Sequence, residues 1–94
     1  MKDKIENIVF KEIDKLNESR KKNDKIEKKT KTHLTGKNSS LDSAELINFL
    51  FSVEDKIFNT FKKRIKIADG NIIDNPEKIS SISKLIDVVF NKIK

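Results

Sequence analysis

Ninety-four residues with a net charge of +6 and no cysteine make one small domain, 1–94, with no room for a deep enzyme cleft and no disulfide or thiolate metal framework. No stretch approaches the ~20 consecutive apolar residues of a membrane span. The start, Met1-Lys2-Asp3-Lys4, leads into an amphipathic pattern instead of the apolar run of a secretory signal, so a cytoplasmic monomer is the expectation.

Residues 3 to 18 predict the first helix. Ile5, Ile8, Val9, Ile13 and Leu16 recur at the three-and-four spacing of one stripe, with Phe10 at its edge. Lys4, Lys11, Glu12 and Lys15 fall on the polar side, and Asp3 is the expected N-cap. The pattern then breaks from 17 to 40, where Ile26 and Leu34 are the large apolar side chains and Thr35-Gly36-Lys37-Asn38-Ser39-Ser40 signals a turn. Between 17 and 37 there are eight Lys or Arg against three Asp or Glu, so most of the positive charge sits in one connection. We expect that connection to be solvated and mobile.

A second helix opens abruptly after Leu41. Asp42-Ser43-Ala44-Glu45 has the form of a capping box, with Asp42 as N-cap and Glu45 three residues on. Leu46, Leu50, Val53, Ile57 and Phe61 make its apolar stripe, flanked by Ile47, Phe51 and Phe58, and Lys62-Lys63-Arg64 suits its C-terminus. Residues 65 to 79 read as irregular, with Ile65 and Ile67 alternating around Lys66. Turns are expected at Asp69-Gly70-Asn71 and Asp74-Asn75-Pro76, and a single helical turn at 71–74 or 76–79. A last helix opens at Ser80 or Ser81, with Ile82, Leu85, Ile86, Val89, Phe90 and Ile93 on one face. The fold class is therefore all-α, a small three- to four-helix bundle with a long loop between helices one and two.

This order of elements resembles the acyl carrier protein family. The residues that carry the resemblance are Leu41-Asp42-Ser43-Ala44-Glu45-Leu46, followed by the apolar helix and Val53-Glu54-Asp55. Val9 to Glu18, Leu34-Thr35-Gly36, Ile65-Lys66-Ile67-Ala68-Asp69 and Ile79-Ser80-Ser81-Ile82 are similar to further stretches of the family in the same order. The resemblance implies a non-catalytic carrier in which Ser43 receives 4′-phosphopantetheine from coenzyme A through a phosphopantetheinyl transferase. Asp42 would help position the metal and coenzyme A of that transferase. It also implies that Glu45, Glu54 and Asp55 face the acyl-loading and acyl-transfer enzymes. The sequence departs from the family pattern in two respects. Ala44 stands where a leucine usually follows the serine, and Ser39-Ser40 stand in place of a glycine. Neither removes the acceptor hydroxyl.

The chemistry suits a helix start. Unpaired backbone N–H groups and the positive end of the helix dipole favour a phosphodiester there, and the thiol of the arm would carry its cargo as a thioester. An ordinary helix cap is the plainer reading of Asp42-Ser43-Ala44-Glu45, and a solvated helix face is the plainer reading of the three carboxylates. Leu46, Leu50, Ile82 and Leu85 are expected in the core, some of them also lining a pocket for an acyl chain. His33, the sole histidine, has no cysteine to join it at a metal and gives Ser43 no oriented base, so no metal and no hydrolase are expected. Two other functions stay open. One is a small basic helical module that binds nucleic acid through the 20–37 loop and Lys62, Lys63, Arg64 and Lys66. Against it, the basic residues are 19 Lys to 2 Arg and there is no Trp or Tyr, which reads as composition more than as base or phosphate recognition. The other is a carrier-like interaction domain whose Ser43 is never modified.

Overall fold

The computed structural model describes residues 2–21, 25–34, 41–67 and 75–93, the side chains of Ser43 and Pro76 excepted. Over these residues the chain is a helical bundle of α1 (Lys2–Glu18), α2 (Ser43–Phe61) and α3 (Ile82–Ile93), with a 3-10 turn at Pro76–Ile79 just before α3. No strand occurs among the described residues, although an isolated antiparallel bridge joins His33 to Ser81. The turns expected at 35–40 and 69–71 lie outside the described residues, as does Asp74 of the next one.

α1 packs against both α2 and α3, because its stripe is the one that both partners share. Ile5, Val9 and Ile13 are fully buried there. Leu50, Val53 and Ile57 meet them from α2, and Ile82, Leu85 and Val89 from α3. Each such side chain contributes about 1.5–3 kcal/mol over leaving it exposed. The α2 stripe also includes Phe49, buried although it was not expected there, while Leu46 and Phe61 are only half-buried. Phe49 lies four residues before Val53 and three after Leu46, so the buried face is centred slightly to one side of the expected line.

One helix end differs in detail from expectation. α1 begins at Lys2, so Asp3 stands inside its first turn instead of capping it; its carboxylate there still complements the helix dipole. α2 ends as its periodicity implies, with Lys62 in the left-handed region at φ 58°, where its N–H donates to Phe58 O at 2.8 Å. A residue with a Cβ occupies that conformation at a cost of about 1–2 kcal/mol.

The largest departure concerns the basic connection. It was expected to be mobile, yet residues 25–34 are built into the bundle. Ile26 and Leu34 are buried in the common core. Asn17, just before the end of α1, holds the backbone of Ile26 from both sides, donating from Nδ2 to its carbonyl at 3.0 Å and accepting its N–H at 2.7 Å. Thr32 Oγ1 closes the segment on itself by donating to Glu27 O. Beyond that point the backbone meets α3. Ile82 N donates to Thr32 O, Ser83 N to Thr30 O, and Leu34 N to Ser80 O, all at 2.8–3.0 Å. The lysines project outward from this anchored backbone, with Lys25, Lys28, Lys29 and Lys31 exposed. Lysine stems tolerate any backbone that keeps their heads in water, so charge density alone did not reveal the anchoring.

Asn17→Ala removes both bonds to a part-buried peptide. We expect a loss of about 1–2 kcal/mol of stability, with faster amide exchange at Ile26 than in the helices. Denaturant unfolding and hydrogen exchange would measure the two effects, and unchanged exchange at Ile26 would contradict the anchoring.

Candidate functional site

The α2 start is organised as the sequence implies. Asp42 is extended (φ −83°, ψ 175°) and its Oδ1 accepts the N–H of Glu45 at 2.7 Å, while Glu45 Oε1 accepts the N–H of Asp42 at 3.4 Å. This reciprocal pair is a full capping box with aspartate in the place of serine or threonine. The first intrahelical bond runs from Leu46 N to Asp42 O at 2.9 Å. Ser43 is thus the first residue of a 19-residue helix. Its side chain lies outside the described residues. Next to it Ala44 is exposed.

A residue outside the motif fixes this corner from behind. Arg20, two residues past α1 and mostly buried, donates from Nη2 to Glu45 Oε2 at 2.7 Å. Glu45 therefore serves both the cap and a charge-assisted bond to the connection. Nothing in the local sequence pairs positions 20 and 45. The only signal was that Arg20 is one of two arginines in a lysine-rich chain, and arginine is the better residue for a planar, enclosed carboxylate contact.

The remaining carboxylates are separated around the helix. Glu54 Oε1 accepts the N–H of Ile67 at 2.8 Å, which draws the post-α2 segment, with buried Ile65 and Ile67, against α2. Glu45 and Glu54 are nine residues apart and therefore point about 180° apart at 3.6 residues per turn. Asp55 is exposed on the outward face between them. So the structure brings Asp42 and Glu45 together, ties Glu54 to a different segment, and leaves Asp55 in solvent. Phe51 shares the outward face and is 51% exposed. The guanidinium of Arg64 lies over the neighbouring Phe58 ring, 4.4 Å from its centroid.

Of the side chains expected to line an acyl pocket, Leu50, Ile82 and Leu85 are fully enclosed in the core and Leu46 is half-buried. His33 is exposed, its backbone bridged to Ser81. No group of three metal-capable side chains forms among the described residues, and no described helix is long and apolar enough to cross a membrane. Comparison with family models, with curated proteins and with solved structures gives no match.

Asp42→Ala is expected to cost about 1 kcal/mol through the lost cap, and Asp42→Ser to recover most of it. Urea midpoints of the three proteins test this, and equal midpoints would mean the capping box contributes nothing to stability.

Proposed function

We propose that this chain is an acyl carrier protein: a non-catalytic domain that bears 4′-phosphopantetheine on Ser43 and presents an acyl or related group to partner enzymes. The observation that supports it best is the capping box of Asp42 and Glu45, which makes Ser43 the first residue of α2. An N-terminal helix position leaves backbone donors for a phosphate group, and the small, exposed Ala44 adds no bulk beside it. When bound, the phosphopantetheine supplies a thiol that holds the cargo as a thioester.

The chain's own residues would do the rest. Asp42 and Glu45 fix the direction in which the helix presents position 43, and Arg20 holds Glu45 in place. Asp55, exposed and with no partner among the described residues, is the carboxylate best placed for partner enzymes to read, and Phe51 beside it adds an exposed apolar contact. Charges on such a face act mainly on the rate and selectivity of encounter. Tethering the cargo raises its effective concentration at each partner. In this reading the protein works as a cytoplasmic monomer, with a phosphopantetheinyl transferase and acyl-loading or acyl-transfer enzymes as its partners.

A second reading has one specific observation in its favour. Lys25, Lys29, Lys31 and His33, with Glu27 among them, line a hollow of about 330 Å³ on the anchored connection, a surface of net positive charge. A nucleic-acid-binding module would use it for phosphate contacts.

Two measurements separate the readings. Incubation with coenzyme A and a broad-specificity phosphopantetheinyl transferase should add one phosphopantetheine to the intact mass, and Ser43→Ala should abolish the gain. No gain with several transferases would remove the carrier reading in favour of the unmodified interaction domain. For the second reading, binding to a labelled oligonucleotide should fall steeply between about 50 and 200 mM salt. It should also weaken in Lys25→Gln/Lys29→Gln/Lys31→Gln and be indifferent to Ser43→Ala. Absence of binding at the lowest salt would eliminate it.

A further inference from the structure

The contacts between elements sort the bundle into two ends. At one, Arg20 just past α1 meets Glu45 in the first turn of α2, and Asn17 of α1 grips Ile26. Residues 30–34 cap the start of α3 at that same end. At the other, Lys2 pairs with Asp87 and lies over Phe90 of α3, and Lys63 Nζ donates to Ile93 O at 2.7 Å. Ser43 is the first residue of α2, so it stands at the end that carries the basic connection.

The described part of that connection, 25–34, has Lys25, Lys28, Lys29 and Lys31 against Glu27 alone, all of them exposed. Lys84, in the first turn of α3, is exposed beside it. Two of the lysines have carboxylate neighbours, Lys28 at Asp14 (3.1 Å) and Lys29 at Glu27 (3.5 Å). About half or more of each of these side chains is in water. Pairs so exposed contribute little and exchange readily for another anion. Lys25, Lys29, Lys31 and His33, with Glu27 among them, also line the open hollow of about 330 Å³, a volume at the lower limit of small-ligand sites.

This surface fits a diffuse array of phosphates better than a patterned one. Its cations are lysines, point charges on flexible stems. Segment 25–34 has no arginine fork to pair with a phosphate and no Phe, Tyr or Trp ring to stack a base. A protein partner is held by apolar anchors at the centre of its interface, and the large apolar side chains here, Ile26 and Leu34, are buried. A bilayer rich in anionic phospholipid needs neither device. It attracts each nearby lysine by about fivefold in affinity, the equivalent of ~1 kcal/mol.

We propose that the end of the bundle carrying Ser43 docks on an anionic phospholipid surface through Lys25, Lys28, Lys29 and Lys31. Attachment by charge alone is weak and reversible, which suits a carrier that must come and go. Delivery of cargo at the membrane rests on the carrier reading; the docking itself does not.

The chain has no cysteine, so Ser43→Cys and Asn91→Cys each offer one attachment point for a fluorophore. Asn91 is exposed in the last turn of α3, at the far end. Each labelled protein is mixed at low salt with vesicles of phosphatidylcholine, alone or with an equal part of phosphatidylglycerol, that carry a lipid-borne quencher. Cosedimentation is expected with the anionic vesicles only, and stronger quenching at position 43 than at 91. Lys25→Gln/Lys29→Gln/Lys31→Gln should weaken binding about 100-fold, three steps of about fivefold. Lys4→Gln/Lys62→Gln/Lys92→Gln removes equal charge from exposed positions at the far end and should weaken it less than about fivefold. Vesicle binding that persists where coenzyme A adds no mass would uphold the docking and remove the carrier reading alone. No binding to anionic vesicles overturns the proposal, as do equal losses in the two triple variants or stronger quenching at 91. Displacement from the vesicles by an oligonucleotide at equal phosphate concentration overturns it in favour of nucleic acid.

Discussion

The arrangement of the bundle depends on the backbone contact between residues 30–34 and the start of α3. A helix begins with N–H groups that lack intrahelical partners, and at α3 those of its first three residues are all taken. Ile82 N and Ser83 N donate to Thr32 O and Thr30 O and Lys84 N to Ser81 Oγ, before Leu85 N makes the first intrahelical bond to Ser81 O. The helix thus uses a segment more than 45 residues away as its cap. In return that segment is fixed closely enough for Leu34 and Ile26 to enter the core. A chain of this size buries a limited area, so apolar side chains taken from the connections matter to its stability. Ile65, Ile67 and Ile79 join the core from the second connection in the same manner.

The two helix starts consequently have different characters. At α3 the donors are used internally and the first residue, Ile82, is fully buried. At α2 the cap is made by Asp42 and Glu45 from within the motif itself, and both Asp42 and Ala44 are exposed. An exposed, self-contained helix start is free to serve an external group; one capped by the protein's own backbone is not. This contrast is the physical reason for seeking function at Ser43 and not at Ser81, although both residues stand at the head of an apolar helix.

Around α1 the fold makes a different compromise. Because this helix contacts both of the others, its buried sector is wider than a single stripe, and position 12 falls inside it. A leucine there would extend the core without a desolvation penalty. The glutamate instead borders two small hollows along the α1–α2 seam. At the far edge of α1, Lys2 pairs with Asp87 at 2.8 Å and lies over the Phe90 ring. That contact with α3 is exposed, and it guides orientation more than it adds stability.

Apolar periodicity was enough to determine the three helices, their order and most of their buried faces, because spacing of three and four residues leaves little freedom in which face turns inward. The Asp42–Glu45 capping box was equally legible, since both partners lie within one turn of chain. What only the tertiary structure decided involves residues distant in sequence. Arg20 meets Glu45, Asn17 grips Ile26, Glu54 receives the Ile67 N–H, and Thr30 and Thr32 cap α3. Polar pairing of this kind has no period and leaves no mark in composition. For the same reason Glu12 read as a surface residue: a helical wheel shows one stripe, but the width of the buried sector is set by how many neighbours the helix acquires on folding.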